Sequence, residues 1–353
     1  MIKRHLAYLA CTTALVGSAI GAAPPVDGPR THLVRPGESI QQAVDTAKPG
    51  DTVLLTSGTF RESVRVTTSR LTLRGMGAGR TVIAPPAKKA ANGCAQAGNG
   101  ICVEGTPSRP VERTAVTSLT LSGFAKNGLW ATDTDRLTVR RVTAESNGQW
   151  GIAQQRSVRG VFTYNTARGN GDAGVFLANT VTAEGGATDS LGAVVARNRL
   201  EGNRVGVTVR RLRNLTVAYN DATANCAAVF VVGDETPPRA GALTVRHNRI
   251  VANNKYCPKT PRLPFLQGSG IVLTGAEDTL VTRNLITDHK GASPLSGGVV
   301  IFKSMVGVRS ERNRITGNTL RNNSPADLVD TDTAKNNTFR DNTCTVSRPA
   351  GLC

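Results

Sequence analysis

Side chains able to do acid–base or ligand chemistry gather just after short apolar runs. Asp133 and Asp135, Arg156, Arg210 and Arg211, Asp234 and Glu235, Glu277 and Asp278, Lys303, and Asp330 and Asp332 all follow alternating aliphatic segments closely. Asp234, Glu235, Glu277 and Asp278 carry the hard oxygen donors that Ca²⁺ takes, so Ca²⁺ is the cofactor to consider. Arg210, Arg211 and Lys303 carry charge for an anion. Aromatic residues make up only 4% of the chain, yet Trp130, Phe176, Phe230 and Phe302 recur in these segments, where a ring can rest on a sugar face. Carboxylates close to a lysine hold it protonated, so Lys303, one repeat away from Glu277 and Asp278 and from Asp330 and Asp332, is expected in a surface salt-bridge ladder rather than as a base. His32 and His247 have no evident partners, and His289 falls at a turn.

The elements behind these positions repeat. An Asn after an alternating strand recurs as Asn198, Asn220, Asn248, Asn284 and Asn313. Five residues later comes a second polar residue: Asn203, Asn225, Asn253, His289 and Asn318. A Gly or Ala then precedes the next aliphatic strand. The strands are short, have period 2 and show no helical pattern between them, which excludes a βαβ fold. A coil of about 22 residues with three short strands fits, stacked so that like residues form columns about 4.8 Å apart. The Asn residues then read as buried ladders bonding one coil to the next. Alternation points two rows outward from one sheet. The first is Trp130, Ala153, Phe176, Thr208, Phe230, Val272, Val300 and Val329; the second runs from Thr132 through Gln155, Ala178, Arg210, Val232 and Thr274 to Phe302. These rows are too apolar for an open polyanion groove, and loops at 237–242 and 257–269 are expected to cover them.

The start of the chain has a basic Lys3–Arg4 pair, an apolar stretch and small residues to Ala23, the layout of a secretory signal over residues 1–23. The remaining six cysteines fit disulfides, as expected for an exported protein: Cys94 with Cys102, Cys226 with Cys257, and Cys344 with Cys353, the last closing a tail at 344–353. They lack zinc-site spacing. The chain of 353 residues carries a formal charge of +18. That favours an acidic polysaccharide or wall polymer as partner, while dispersed arginines and export argue against nucleic acid. No later apolar run is long enough to span a bilayer. One domain, a monomer over residues 31–353, is expected.

Ser39 to Ala47 has the apolar spacing of a short helix with Ser39 as N-cap, a cap over about 36–50 for the end of a solenoid. With Gly58, Phe60 and Glu62 and the strands that follow, it resembles the start of pectin-lyase-like right-handed parallel β-helix proteins. That resemblance covers nearly the whole chain and implies an all-β solenoid. It also implies carbohydrate chemistry, since the superfamily includes polysaccharide lyases, hydrolases, esterases and epimerases as well as chains without known catalysis. In its lyases a Lys or Arg takes the uronate C5 proton while a cation neutralises the carboxylate, and Lys303 with Arg210 is the pair that matches here. Trp130, Phe176, Phe230, Phe302 and Arg211 would then bind substrate. The hydrolase motifs are missing, Gly58, Phe60 and Glu62 match only the opening of the methylesterases, and Thr287 to Lys290 is an incomplete epimerase motif. The alternative is a β-helix that binds polyanionic glycan without catalysis.

Overall fold

The computed structural model describes residues 28–87, 92–233, 236–261 and 263–353. The alternating segments pair in parallel, coil after coil, because each presents one aliphatic row inward and one row outward. A first sheet of 12 strands runs from Thr31–Val34 to Thr338–Arg340. A second sheet of 10 runs from Gly58–Arg61 to Thr319–Arg321, and a third of 11 runs from Val64–Val66 to Ser347–Arg348. One coil reads Thr138–Arg140, Thr143–Glu145, Ile152–Gln155, one strand for each sheet in turn. Val139, Phe162, Val195, Val217, Val245 and Val281 lie in register as one inward column, essentially without solvent exposure. Each such side chain contributes about 1.5–3 kcal/mol by burial.

Two amide ladders hold the corners flanking the second sheet. Between first and second sheets, Asn198, Asn220, Asn248, Asn284 and Asn318 each donate Nδ2 to the Oδ1 of the next, ending on Asn342, at 2.9 Å. Between second and third, Asn147, Asn170, Asn203, Asn225 and Asn253 do the same at 2.8–3.1 Å. The five-residue offset in the sequence is therefore one second-sheet strand with an Asn at either end. The last coil departs from the expected phase. Asn318, not Asn313, follows Asn284, Asn323 follows His289, and Asn313 sits before the first sheet, bonded to Asn337. The Gly that opens most third-sheet strands is a matter of close approach: a Cβ on Gly151 would lie 2.7 Å from the Gly174 carbonyl oxygen.

A helix, Ile40–Thr46, covers the open end, with Ser39 Oγ accepting from the Gln42 N–H. Glu62 adds a carboxylate at its N-terminus, taking bonds from Ser39 Oγ at 2.8 Å and Ile40 N at 2.7 Å. The Gly58, Phe60, Glu62 piece thus has a structural task, with Gly58 against Pro36 and Phe60 buried. The disulfides are Cys94–Cys102, Cys226–Cys257 and Cys344–Cys353, the three pairs expected. Among the described residues no helix is long and apolar enough to cross a membrane. The signal-like segment lies outside them.

Candidate functional site

The outward rows of the third sheet have the composition and register read from the sequence. Trp130 pairs with Ala153, Ala153 with Phe176, Phe176 with Thr208, and so on through Phe230, Val272 and Val300 to Val329. They do not line an open trough. Phe176, Phe230, Val272 and Val300 are buried in a second apolar cluster outside the solenoid, with Leu266 and Leu295 packed over them. The cover comes from insertions before the third sheet, at 254–268 and 289–296. Cys257 and Leu266 exchange backbone hydrogen bonds at 2.9 and 3.0 Å, and Cys226–Cys257 ties this fold-back to the sheet. Ser293 Oγ donates to the Phe265 carbonyl and Ser296 Oγ to the Gln267 carbonyl, joining the two insertions. The segment at 237–242 is not part of this roof; it packs at the corner between third and first sheets, where Ala240 joins the inner core. Trp130 and Phe302 are only half-buried at the margins.

At that third-to-first corner the charges neutralise one another. Arg156 meets Asp133 through Nε at 3.0 Å and Nη2 at 2.8 Å. Arg159 does the same for Asp135 and holds its carboxyl below the usual range. Glu277 binds Arg213 and Arg312, and Asp278 binds Arg312 at 2.8 Å, which pulls the Asp278 carboxyl down as well. Two of the four acids nominated for Ca²⁺, Glu277 and Asp278, are thus held by guanidinium groups. Asp234 and Glu235 lie outside the described residues. Among those described, no three His, Cys, Asp or Glu side chains are grouped to hold a metal.

The salt-bridge ladder exists, but arginines build it. Lys303 is exposed, with no carboxylate partner among the described residues; its backbone N–H donates to Thr331 Oγ1. Arg210 is half-buried, reaching the Val181 carbonyl and lying 3.9 Å from Glu184, while the buried Arg211 binds the Ala183 carbonyl and Glu184. Register through Val232 and Thr274 to Phe302 sets Arg210 three strands from Lys303, roughly 14 Å by strand spacing. The proposed catalytic pair is not brought together.

The comparisons with known proteins agree on architecture. The family described as "Right handed beta helix region" matches residues 89–239, and "Periplasmic copper-binding protein (NosD)" matches 178–350. The mannuronan C-5 epimerase AlgE4 A-module of Azotobacter vinelandii superposes with a TM-score of 0.57 at 19% identity, covering 86% of this chain and 89% of that one. An alginate lyase from Paenibacillus sp. str. FPU-7 gives 0.59 at 13% identity, covering 89% and 98%. DFA-IIIase from Arthrobacter chlorophenolicus A6 gives 0.60 at 15%, covering 87% and 82%. The chain has the pectin-lyase-like right-handed parallel β-helix fold. No curated protein matches this β-helix by sequence.

One group on the β-helix escaped the sequence reading. Trp150, in the corner before the third sheet, stacks between Trp130 and Phe176, with centroids 5.8 and 4.1 Å away. Its Nε1 donates to Asp172 at 3.0 Å, and burial pushes the Asp172 carboxyl up. The positive charge of Arg204, which is anchored on the Pro258 carbonyl of the roof, opposes that rise. The signal was only partial: Trp150, Asp172 and Arg204 follow ladder residues Asn147, Asn170 and Asn203 by three, two and one residues, so no fixed offset marks the group.

Proposed function

We propose that this β-helix is an exported protein that binds acidic polysaccharide without cleaving it. The observation that carries this reading is the filled outer face of the third sheet: rings that would serve a substrate trough are packed under loops, so contact with glycan falls to the charged exterior. The charge of +18 suits a polyanion, and three disulfides suit a protein that acts outside the cytoplasm. The epimerase is named for mannuronan and the lyase for alginate, both acidic glycans, which supports this substrate class.

Elimination at Lys303 and Arg210 would need the two cations on one sugar, and their separation speaks against that. Copper, suggested by the second family's description, fits poorly. The described cysteines outside the signal are in disulfides, and both ring nitrogens of His289 face ladder partners, Asn253 and Asn323.

The test incubates the full mature protein with alginate, polygalacturonate or hyaluronan. The expected result is retention of glycan that falls with rising salt, with no ultraviolet-absorbing unsaturated uronate ends. Unsaturated ends that vanish in Lys303→Ala or Arg210→Ala would replace this reading with a lyase.

A further inference from the structure

At the corner between first and second sheets the chain turns on one residue in the left-handed region followed directly by the ladder Asn and the next strand, whereas the corner ahead of the third sheet has the same pair and then further residues. Tyr164, Arg197, Tyr219 and His247 occupy the left-handed place at the first-to-second corner in consecutive coils, with φ of 53–58°. Their side chains stack along the solenoid axis. Arg140 lies over the Tyr164 ring at 5.1 Å, Arg197 over both Tyr164 and Tyr219 at 5.6 Å, and Arg246 over Tyr219 at 5.4 Å, with His247 stacked on Tyr219 at 4.9 Å. Tyr164 and Tyr219 remain 43% and 45% exposed. Arg140, Arg197 and Arg246 have no carboxylate partner among the described residues, unlike the arginines of the opposite corner.

Register makes this strip periodic. Arg140 aligns through Thr163 with Ala196, the residue before Arg197, and then through Ala218 with Arg246. A guanidinium therefore recurs every second coil, roughly 10 Å, with a tyrosine as spacer between. Arg197 and Arg246 each spend one N–H on a tyrosine hydroxyl, which leaves further donors of each planar fork for a carboxylate. The ring faces are taken by cations, so the rings hold the guanidiniums in place and the cations supply recognition.

We propose that this strip is where the acidic polysaccharide binds: an extended polyuronate lies along the solenoid axis, with a carboxylate on about every second sugar paired to Arg140, Arg197 and Arg246. The assignment rests on the polysaccharide-binding reading above. Charge complementarity and period select a linear carboxylated chain.

The experiment measures binding of alginate and of single-stranded DNA to wild type, Arg140→Ala/Arg197→Ala/Arg246→Ala, and a charge-matched control at three exposed arginines outside the first-to-second corner, Arg61→Ala/Arg109→Ala/Arg348→Ala. The expected result is about tenfold weaker alginate binding by the strip variant, a loss the control does not share. Tyr164→Phe/Tyr219→Phe should bind as wild type, and Tyr164→Ala/Tyr219→Ala more weakly. Equal losses in strip and control variants would overturn the strip while leaving polysaccharide binding in place, and DNA binding as tight as alginate would overturn the carboxylate assignment. Failure of wild type to bind alginate, polygalacturonate or hyaluronan would remove both readings.

Discussion

Rings stack on the outside of this solenoid in two regions with opposite fates. Trp130, Trp150 and Phe176 begin a row that runs under loops and becomes a second apolar core. Tyr164 and Tyr219, one sheet away, stay at the surface between arginines. The corners explain the difference. The corner ahead of the third sheet accepts long insertions, which fold back over the strand they precede. The corner after the first sheet is one left-handed residue followed by a ladder Asn, and no chain is available there to build a cover. A β-helix chooses its open face by where its coils lengthen, and the stacked sequence alone does not say which face that is.

Phe230→Ala breaks the comparison most directly. Phe230 is 2% exposed within the roofed cluster, so truncation should cost about 3–5 kcal/mol of stability by chemical denaturation and leave alginate affinity unchanged in the folded protein. A ring serving an open trough would show the reverse, with little stability change and a large loss of binding.

The second test uses pH. His289 replaces an Asn in the ladder at the foot of the roof. It accepts from Asn253 Nδ2 at Nε2 and donates from Nδ1 to Asn323 Oδ1 at 2.8 Å, a pattern that requires the neutral ring. Burial lowers its pKa from 6.5 to about 4. The unfolded chain therefore takes up this proton first on acidification, and the stability present above pH 6.5 is lost as pH falls towards 4. The loss amounts to about 3 kcal/mol. Hydrogen exchange should show the 289–296 segment opening before the tyrosine corner, and His289→Asn should flatten the dependence between pH 6.5 and 4.

The strands, their register and the outward rows were legible because a period of two and a repeated Asn leave few alternative alignments. The phase was lost at Asn313, where the insertion after Phe302 ends on an Asn that belongs to a different corner. Lys303 was misplaced for a related reason: that insertion carries it into solvent, while Arg213 and Arg312, with longer reach and planar forks, take Glu277 and Asp278. The tyrosine and arginine strip had a plain signal, the residue before each ladder Asn. It went unread because a left-handed position usually selects for backbone rather than side chain.

A milder change compares the tyrosines with Phe230. Tyr219→Ala removes an exposed ring and its stacking with Arg197, Arg246 and His247. It should cost about 1 kcal/mol of stability or less, since exposed cation–π contacts are worth about 0.5–1 kcal/mol each and the arginines regain hydration. Thermal unfolding of the two single variants side by side checks this, and a loss for Tyr219→Ala equal to that for Phe230→Ala would mean that the open ring is a packing element.

The smallest effect tests the silence of the third-to-first corner. If its arginines contribute nothing to polyanion binding because Glu277 and Asp278 already neutralise them, then Glu277→Gln with Asp278→Asn releases Arg213 from its carboxylates and leaves Arg312 with Glu311 alone, while keeping side-chain shape. The unmasked charge is partly exposed and screened, so the gain should be modest, about two- to threefold in alginate affinity at low ionic strength and absent at high salt. The gain should also persist when Arg140, Arg197 and Arg246 are alanine, because the two corners lie on different edges of the solenoid. No gain in either background would mean that guanidinium spacing along the axis, and not unpaired charge alone, decides where the polysaccharide binds.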